Sequence, residues 1–326
     1  MIRNIGTDSG EKRGSLNWNF MVYWAGMETG RDGEQRSRPV FKINESKKRK
    51  RKKTAARAGG RREFIMSRLK LGILGSGYLG GIIADAWKNG YLDEYELVGI
   101  AGRNEEKTKA LAEKTGCRPC ADVDELLALK PDYIAEAASV AAVKGMAVKA
   151  LCAGTSIIVL SIGAFADADF YEEVKRTALE HGTKVHIASG AVGGFDVLRT
   201  VSLMGDAVSG IETRKGPKSL KNTPLFEDHL MTDTEGTEVF AGNAKEAIAL
   251  LPTKVNVAVA ASLATTGPEH TKVNIHSIPG FVGDDHKITA EIKGVKAVVD
   301  IYSDTSAIAG WSVVAVLRNL VSPIVF

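Results

Sequence analysis

The sequence predicts an α/β protein: a doubly wound parallel sheet followed by a second, mixed α+β domain. Three observations carry that expectation. From residue 69 onward, apolar runs of strand length alternate with helical stretches. A loop with three spaced glycines joins the first such strand to the first helix. After residue 195 the rhythm gives way to segments in which apolar and polar residues alternate, the mark of a sheet with one wet face.

The elements follow in order. "LKLGILG" (69–75) reads as a short buried strand and "YLGGIIADAWKNG" (78–90) as a helix closed by Gly90. "YELVGIAGR" (95–103) is a second strand, followed by the helical "NEEKTKALAEKTG" (104–116) and a short helix at 122–130 that stops before Pro131. Strands are expected at 132–139, 155–165 and 183–194, with helices at 140–154 and 167–182 between them. Strands spaced by helices in this way imply right-handed crossovers and a parallel sheet. In the second half, strands are expected at 209–217, 271–280, 286–294 and 295–303, with helices at 242–251 and 305–320. The expected division is a basic extension over 1–65, a dinucleotide-binding domain over 66–190 and a substrate and dimerisation domain over 191–326. The last helix is expected to pack back on the first domain.

The net charge of +4 is unevenly placed. Residues 1–65 hold an excess of ten positive charges, densest in "KKRKRKKTAARAGGRR" (47–62), so the remainder is net acidic. A run of that kind reads as a solvated tail rather than a nucleic-acid arm, and Met66 supplies an alternative start directly before the first strand. No apolar run approaches the roughly 20 residues of a membrane span, and the N-terminus lacks the apolar core of a secretory signal. Three cysteines do not make a disulfide framework, which favours the reducing cytoplasm. Cys117 and Cys120 form "CRPC", but with Cys152 alone remaining they fall short of four zinc ligands, and no metal is expected.

Gly75, Gly77 and Gly80 give Gly-x-Gly-x-x-Gly between a strand and a helix, the context in which the pattern binds a dinucleotide. The first glycine permits the turn, the second admits the pyrophosphate and the third lets helix and strand pack closely. The loop residues Gly75, Ser76, Gly77, Tyr78, Leu79 and Gly80 are the candidate cofactor contacts. An acid at the end of the second strand would bind the adenosine ribose; here "AGRN" offers Gly102, then Arg103 and Asn104. Arg103 suits a 2′-phosphate, so the cofactor is NAD or NADP, with NADP accepted.

The chain also carries, in order, "EAAS" (136–139), "SIGA" (161–164), "SGAVGGFD" (189–196), "KGP" (215–217), "VNVAVAASLA" (255–264), "DDHKI" (284–288) and "TSAIAGWSVVAVLRN" (305–319). This series resembles the L-aspartate dehydrogenases over essentially all of residues 66–326. The resemblance implies a Rossmann-fold domain, a mixed catalytic domain, a homodimer and NAD(P)-dependent oxidation of L-aspartate. The product would be iminoaspartate, hydrolysing to oxaloacetate and ammonia or feeding NAD biosynthesis. It also implies that Ala191 and Asn256 contact the nicotinamide end of the cofactor and that His286 is the active-site histidine.

The residues agree with that chemistry. Proton traffic at an amine or imine calls for a group such as histidine, and a dicarboxylate calls for a positive partner, for which Lys215 is the candidate. Asp284 stands where relatives usually carry asparagine, and Ile278 where they often carry aspartate. Two residues before His286 on one strand, Asp284 is expected to share its face and raise the histidine's pKa, giving an alkaline optimum. Glu136, at the end of a strand, either lines the cofactor cleft or caps the next helix. The competing readings are a homoserine dehydrogenase-like or dihydrodipicolinate reductase-like enzyme, and a non-catalytic NAD(P)-binding protein.

Overall fold

The structure, a computed structural model, describes residues 68–251 and 256–326. The expectations for residues 1–65 and for a start at Met66 lie outside the described residues.

Six parallel strands form the first sheet: β1 (Leu69–Leu74), β2 (Tyr95–Ala101), β3 (Arg118–Cys120), β4 (Tyr133–Glu136), β5 (Ser156–Val159) and β6 (Val185–Ile187), in the order β3-β2-β1-β4-β5-β6. The order reverses between β1 and β4, which opens a crevice at their C-terminal ends. The strands are apolar on both faces because helices cover both. Successive residues of β4 and β5 alternate between two cores: Ile134, Ile157 and Val159 face one, Ala135 and Ile158 the other. Helices α1 (Tyr78–Lys88) and α10 (Ala307–Val321) cover the second of these faces. On the first lie α3 (Val123–Ala128), α4 (Val140–Cys152) and α5 (Ala168–His181), while α2 (Glu105–Thr115) flanks β2 and β3.

Helix boundaries follow ordinary capping chemistry. The side chains of Asn104, Asp122, Ser139 and Asp167 each accept a hydrogen bond from a backbone N–H in the first turn of α2, α3, α4 and α5. The C-terminal helix crosses back onto α1, where Gly310 lies directly against Ile82. The Tyr95 hydroxyl donates to the Leu317 carbonyl at 2.7 Å, and Arg318 donates to the Tyr91 carbonyl at 3.0 Å.

The second sheet is mixed, in the order β11-β10-β7-β9-β8. Its strands are β7 (Val208–Lys215), β8 (Thr237–Asn243), β9 (Thr271–Ser277), β10 (Asp284–Ile292) and β11 (Val295–Ser303). Only β7 and β9 run parallel; the other pairs are antiparallel. One face packs against α6 (Phe195–Leu203) and α9 (Asn256–Ala264); along β10 this buries His286, Ile288 and Ala290 while Lys287 and Glu291 reach solvent. Two short helices, α7 (Pro217–Leu220) and α8 (Ala244–Leu250), complete the fold.

Several strands are shorter than the sequence suggested. The run 155–165 is strand only to Val159; a 3-10 turn (Ile162–Ala166) follows. The run 183–194 leaves the sheet after Ile187, because Gly190 and Gly194 take left-handed φ of +66° and +65°. These truncations free backbone at the C-terminal end of the sheet, the end at which open α/β sheets form their crevice. β3 is an addition, an edge strand whose position accommodates Pro119.

Candidate active site

Strands β7 and β10 run antiparallel with Thr213 opposite His286 and Lys215 opposite Asp284. All four side chains line one cavity of about 270 Å³. Thr213 Oγ1 lies 3.0 Å from His286 Nδ1, and Lys215 Nζ lies 3.1 Å from Asp284 Oδ1. The period-two alternation of a strand therefore builds a square of two cross-strand pairs. The sharing of a face by Asp284 and His286 is as expected from the sequence.

The effect of Asp284 on the histidine is not. His286 is 5 % exposed, and burial together with the Lys215 ammonium pushes its pKa down to about 4, against the opposing pull of Asp284. The expected rise fails because burial of the imidazole, with the Lys215 ammonium adding to it, outweighs the upward pull of Asp284. The ring is neutral at physiological pH.

The remaining walls come from both halves of the chain. Ser189, Gly190 and Ala191 follow β6, and the Gly190 N–H is held at 3.0 Å by Ser312 Oγ of α10. Asn256, the first residue of α9, lines the cavity and accepts from the Gly163 N–H at 2.8 Å. Leu79 of α1 also reaches the wall, so the glycine loop and the cavity adjoin. Ala191, Asn256, Lys215, Asp284 and His286, singled out separately in the sequence, thus stand around one space. Thr213, Ser219 and Thr223 join them unanticipated. Thr213 precedes Lys215 by two on an alternating strand, a signal that places it on the same face but does not name its partner.

The glycine loop fits a dinucleotide. Gly75 adopts φ +128°, and a Cβ there would stand 2.4 Å from the Ala137 carbonyl oxygen. A Cβ on Gly80 would overlap the Gly75 carbonyl oxygen. Above Gly77, by contrast, there is open space, and the N-terminus of α1 has no side-chain cap. Two glycines hold the turn shut and the third leaves room beside uncapped N–H groups, as an anionic pyrophosphate requires. Ser76 Oγ accepts from Thr108 Oγ1 at 2.9 Å, while Tyr78 is exposed.

The same contacts explain the absent acid after β2. A Cβ on Gly102 would come within 2.4 Å of Ser76 Oγ and 2.9 Å of Thr108 Oγ1, so a side chain at the ribose-reading position would have to displace both hydroxyls. Asn104 is committed to capping α2. Arg103, directly after β2, is exposed. Arg103→Asp is expected to raise the Kd of NADPH far more than that of NADH, by about 1.5–3 kcal/mol for a charged hydrogen bond replaced by repulsion. Titration of both cofactors checks this; equal effects would show that Arg103 does not read the 2′-phosphate.

Among the described residues no cluster of three or more histidine, cysteine or acidic side chains is arranged to hold a metal. Burial pushes the Cys117 and Cys120 thiols up, away from reactive thiolates.

Residues 196–320 match the family described as "Aspartate dehydrogenase, C-terminal", and residues 71–188 match "Homoserine dehydrogenase, NAD binding domain". An L-aspartate dehydrogenase of Methanococcus maripaludis is 36 % identical over 265 residues, spanning 78 % of this chain and 98 % of the relative. One from Methanosarcina mazei is 33 % identical over 267 residues, with the same coverage. Among solved structures, aspartate dehydrogenase from Thermotoga maritima superposes with a TM-score of 0.64 at 27 % identity, covering 79 % of this chain and 99 % of that one.

Proposed function

The chain belongs to the L-aspartate dehydrogenase family, and we propose on that premise that it oxidises L-aspartate to iminoaspartate with NAD(P) as acceptor. It is an NAD(P)-dependent amino-acid dehydrogenase. The observation that carries the substrate reading is the square of Lys215, Asp284, Thr213 and His286 beside the glycine loop.

Each residue has a distinct task in this reading. Gly75–Gly80 hold the pyrophosphate, and Ala191 and Asn256 bound the nicotinamide end. When bound, the oxidised nicotinamide supplies the acceptor for the substrate's α-hydrogen and its electron pair. Lys215 binds a substrate carboxylate by a charge-assisted hydrogen bond. Asp284 holds Lys215 in place and offers its other oxygen to the α-ammonium. In the tautomer this reading requires, His286 carries its proton on Nδ1 and donates it to Thr213 Oγ1, which leaves the Nε2 lone pair free to accept. Nε2 takes a proton from the substrate nitrogen, so that the nitrogen lone pair can form the C=N bond as the α-C–H bond breaks. In the same reading the iminoaspartate hydrolyses to oxaloacetate and ammonia or enters NAD biosynthesis, and the enzyme works as a cytoplasmic homodimer.

The homoserine dehydrogenase match covers only the cofactor-binding half, so it supports dinucleotide use rather than a different substrate. The test is a spectrophotometric screen of the purified protein for NAD(P)H formation with a panel of amino acids. L-aspartate is expected to give the highest kcat/KM. A clear preference for homoserine or a monocarboxylic amino acid would overturn the substrate assignment.

A further inference from the structure

Glu136 ends β4 in the middle of the first sheet and is 0 % exposed. Among the described residues no lysine or arginine forms an ion pair with it. Its carboxylate instead accepts five hydrogen bonds. Oε1 accepts from the Ala138 N–H at 2.7 Å, the Ser139 N–H at 3.0 Å and the Ser161 hydroxyl at 2.8 Å. Oε2 accepts from the N–H groups of Leu160 at 3.1 Å and Ser161 at 2.9 Å. Burial pushes the pKa of Glu136 up, against the pull of these donors. A carboxylate is unfavourable in such a place unless its donors converge, and here they converge from two separate loops.

Both loops matter to the cofactor crevice. Ala138 and Ser139 follow β4 and lead into α4, and the preceding Ala137 carbonyl packs on Gly75. Leu160 and Ser161 follow β5 and lead into the 3-10 turn. Leu160 and Ile162 line the active-site cavity, and Gly163 donates to Asn256. One buried carboxylate thus ties the backbone beside the pyrophosphate loop to the backbone beside the cavity. Capping α4 alone would need only the first loop, and Ser139 already supplies that cap.

We propose that Glu136 is a positioning residue for the nicotinamide half of the dinucleotide. Its carboxylate sets the spacing of the two loops that wall the crevice between the glycine loop and the cavity, without itself touching the cofactor. Glutamine would fill the same volume but turn one acceptor oxygen into an NH₂ donor facing N–H groups, and the loops would move apart. The adenosine half, assigned to the ends of β1 and β2, lies outside that clamp.

The experiment compares the full chain with its Glu136→Gln variant, using two ligands. Affinity for the reduced dinucleotide is read by nicotinamide fluorescence. Affinity for ADP-ribose, or its 2′-phosphate if NADPH is preferred, is read by calorimetry. The variant is expected to lose about tenfold or more in dinucleotide affinity and to change by less than about twofold for the ADP-ribose ligand. Ser161→Ala removes one of the five donors. It is expected to lose about threefold on the dinucleotide alone, and it decides the matter if the glutamine variant does not fold. Unchanged dinucleotide affinity, or equal losses for both ligands, would overturn the proposal. These readouts involve no amino acid, so a failed aspartate assay would leave them intact.

Discussion

His286→Ala is expected to lower kcat for aspartate oxidation by about 10²–10⁴-fold, the usual contribution of a positioned proton acceptor, while the affinity for NAD(P)H stays near wild type. The pH dependence carries the finer test. With its pKa pushed down to about 4, the imidazole is already neutral, and able to accept a proton, at every pH above that value. The kcat/KM profile, which reports groups of the free enzyme, should therefore show no acid limb from His286 between pH 7 and about 5. Ionisation must be sought near pH 4. A limb at pH 6.5 or above that vanishes in His286→Ala would mean that Asp284 dominates after all.

Lys215→Met is the second large effect expected. Lys215 is 19 % exposed at its side chain and sits against Asp284, which is 46 % exposed. Removing the ammonium deletes the partner of a substrate carboxylate and leaves Asp284 to repel that same group. A charged hydrogen bond is worth about 1.5–3 kcal/mol, so kcat/KM for aspartate should fall by roughly 10- to 150-fold, mostly through KM. The double variant Lys215→Met/Asp284→Asn should recover part of the loss, because the stranded carboxylate is gone. If KM for aspartate is unmoved in the single variant, Lys215 does not bind the substrate.

The parts of this protein that are local in sequence were legible in it. The Gly75–Gly80 loop, the helix stops at Gly90 and Gly116, and the alternation of β10 and β11 each follow from a few neighbouring residues. His286, Lys215 and Asp284 could be named from motifs, and alternation put Asp284 and His286 on one face. The long-range pairings could not be read. Thr213 meets His286 across 73 residues of chain, through a β7–β10 register that no single strand specifies. The same register buries His286 and brings Lys215 to it, which is why its pKa falls rather than rises as Asp284 alone would suggest. Glu136 reads locally as a strand-end acid; only the approach of the 160–161 loop shows that it clamps two segments. Strands β5 and β6 stop short of their apolar runs, because Gly190 and the 3-10 turn redirect the chain while β-forming residues continue.

The central claim is that the α-hydrogen of aspartate leaves directly for a dinucleotide bound at the glycine loop, with His286 handling the proton. L-aspartate deuterated at its α-carbon tests this in one measurement, by mass analysis of the reduced dinucleotide. The deuterium is expected at the nicotinamide ring, with a rate lowered in His286→Ala. Reduced dinucleotide free of deuterium, or no reduction with aspartate at all, would contradict it.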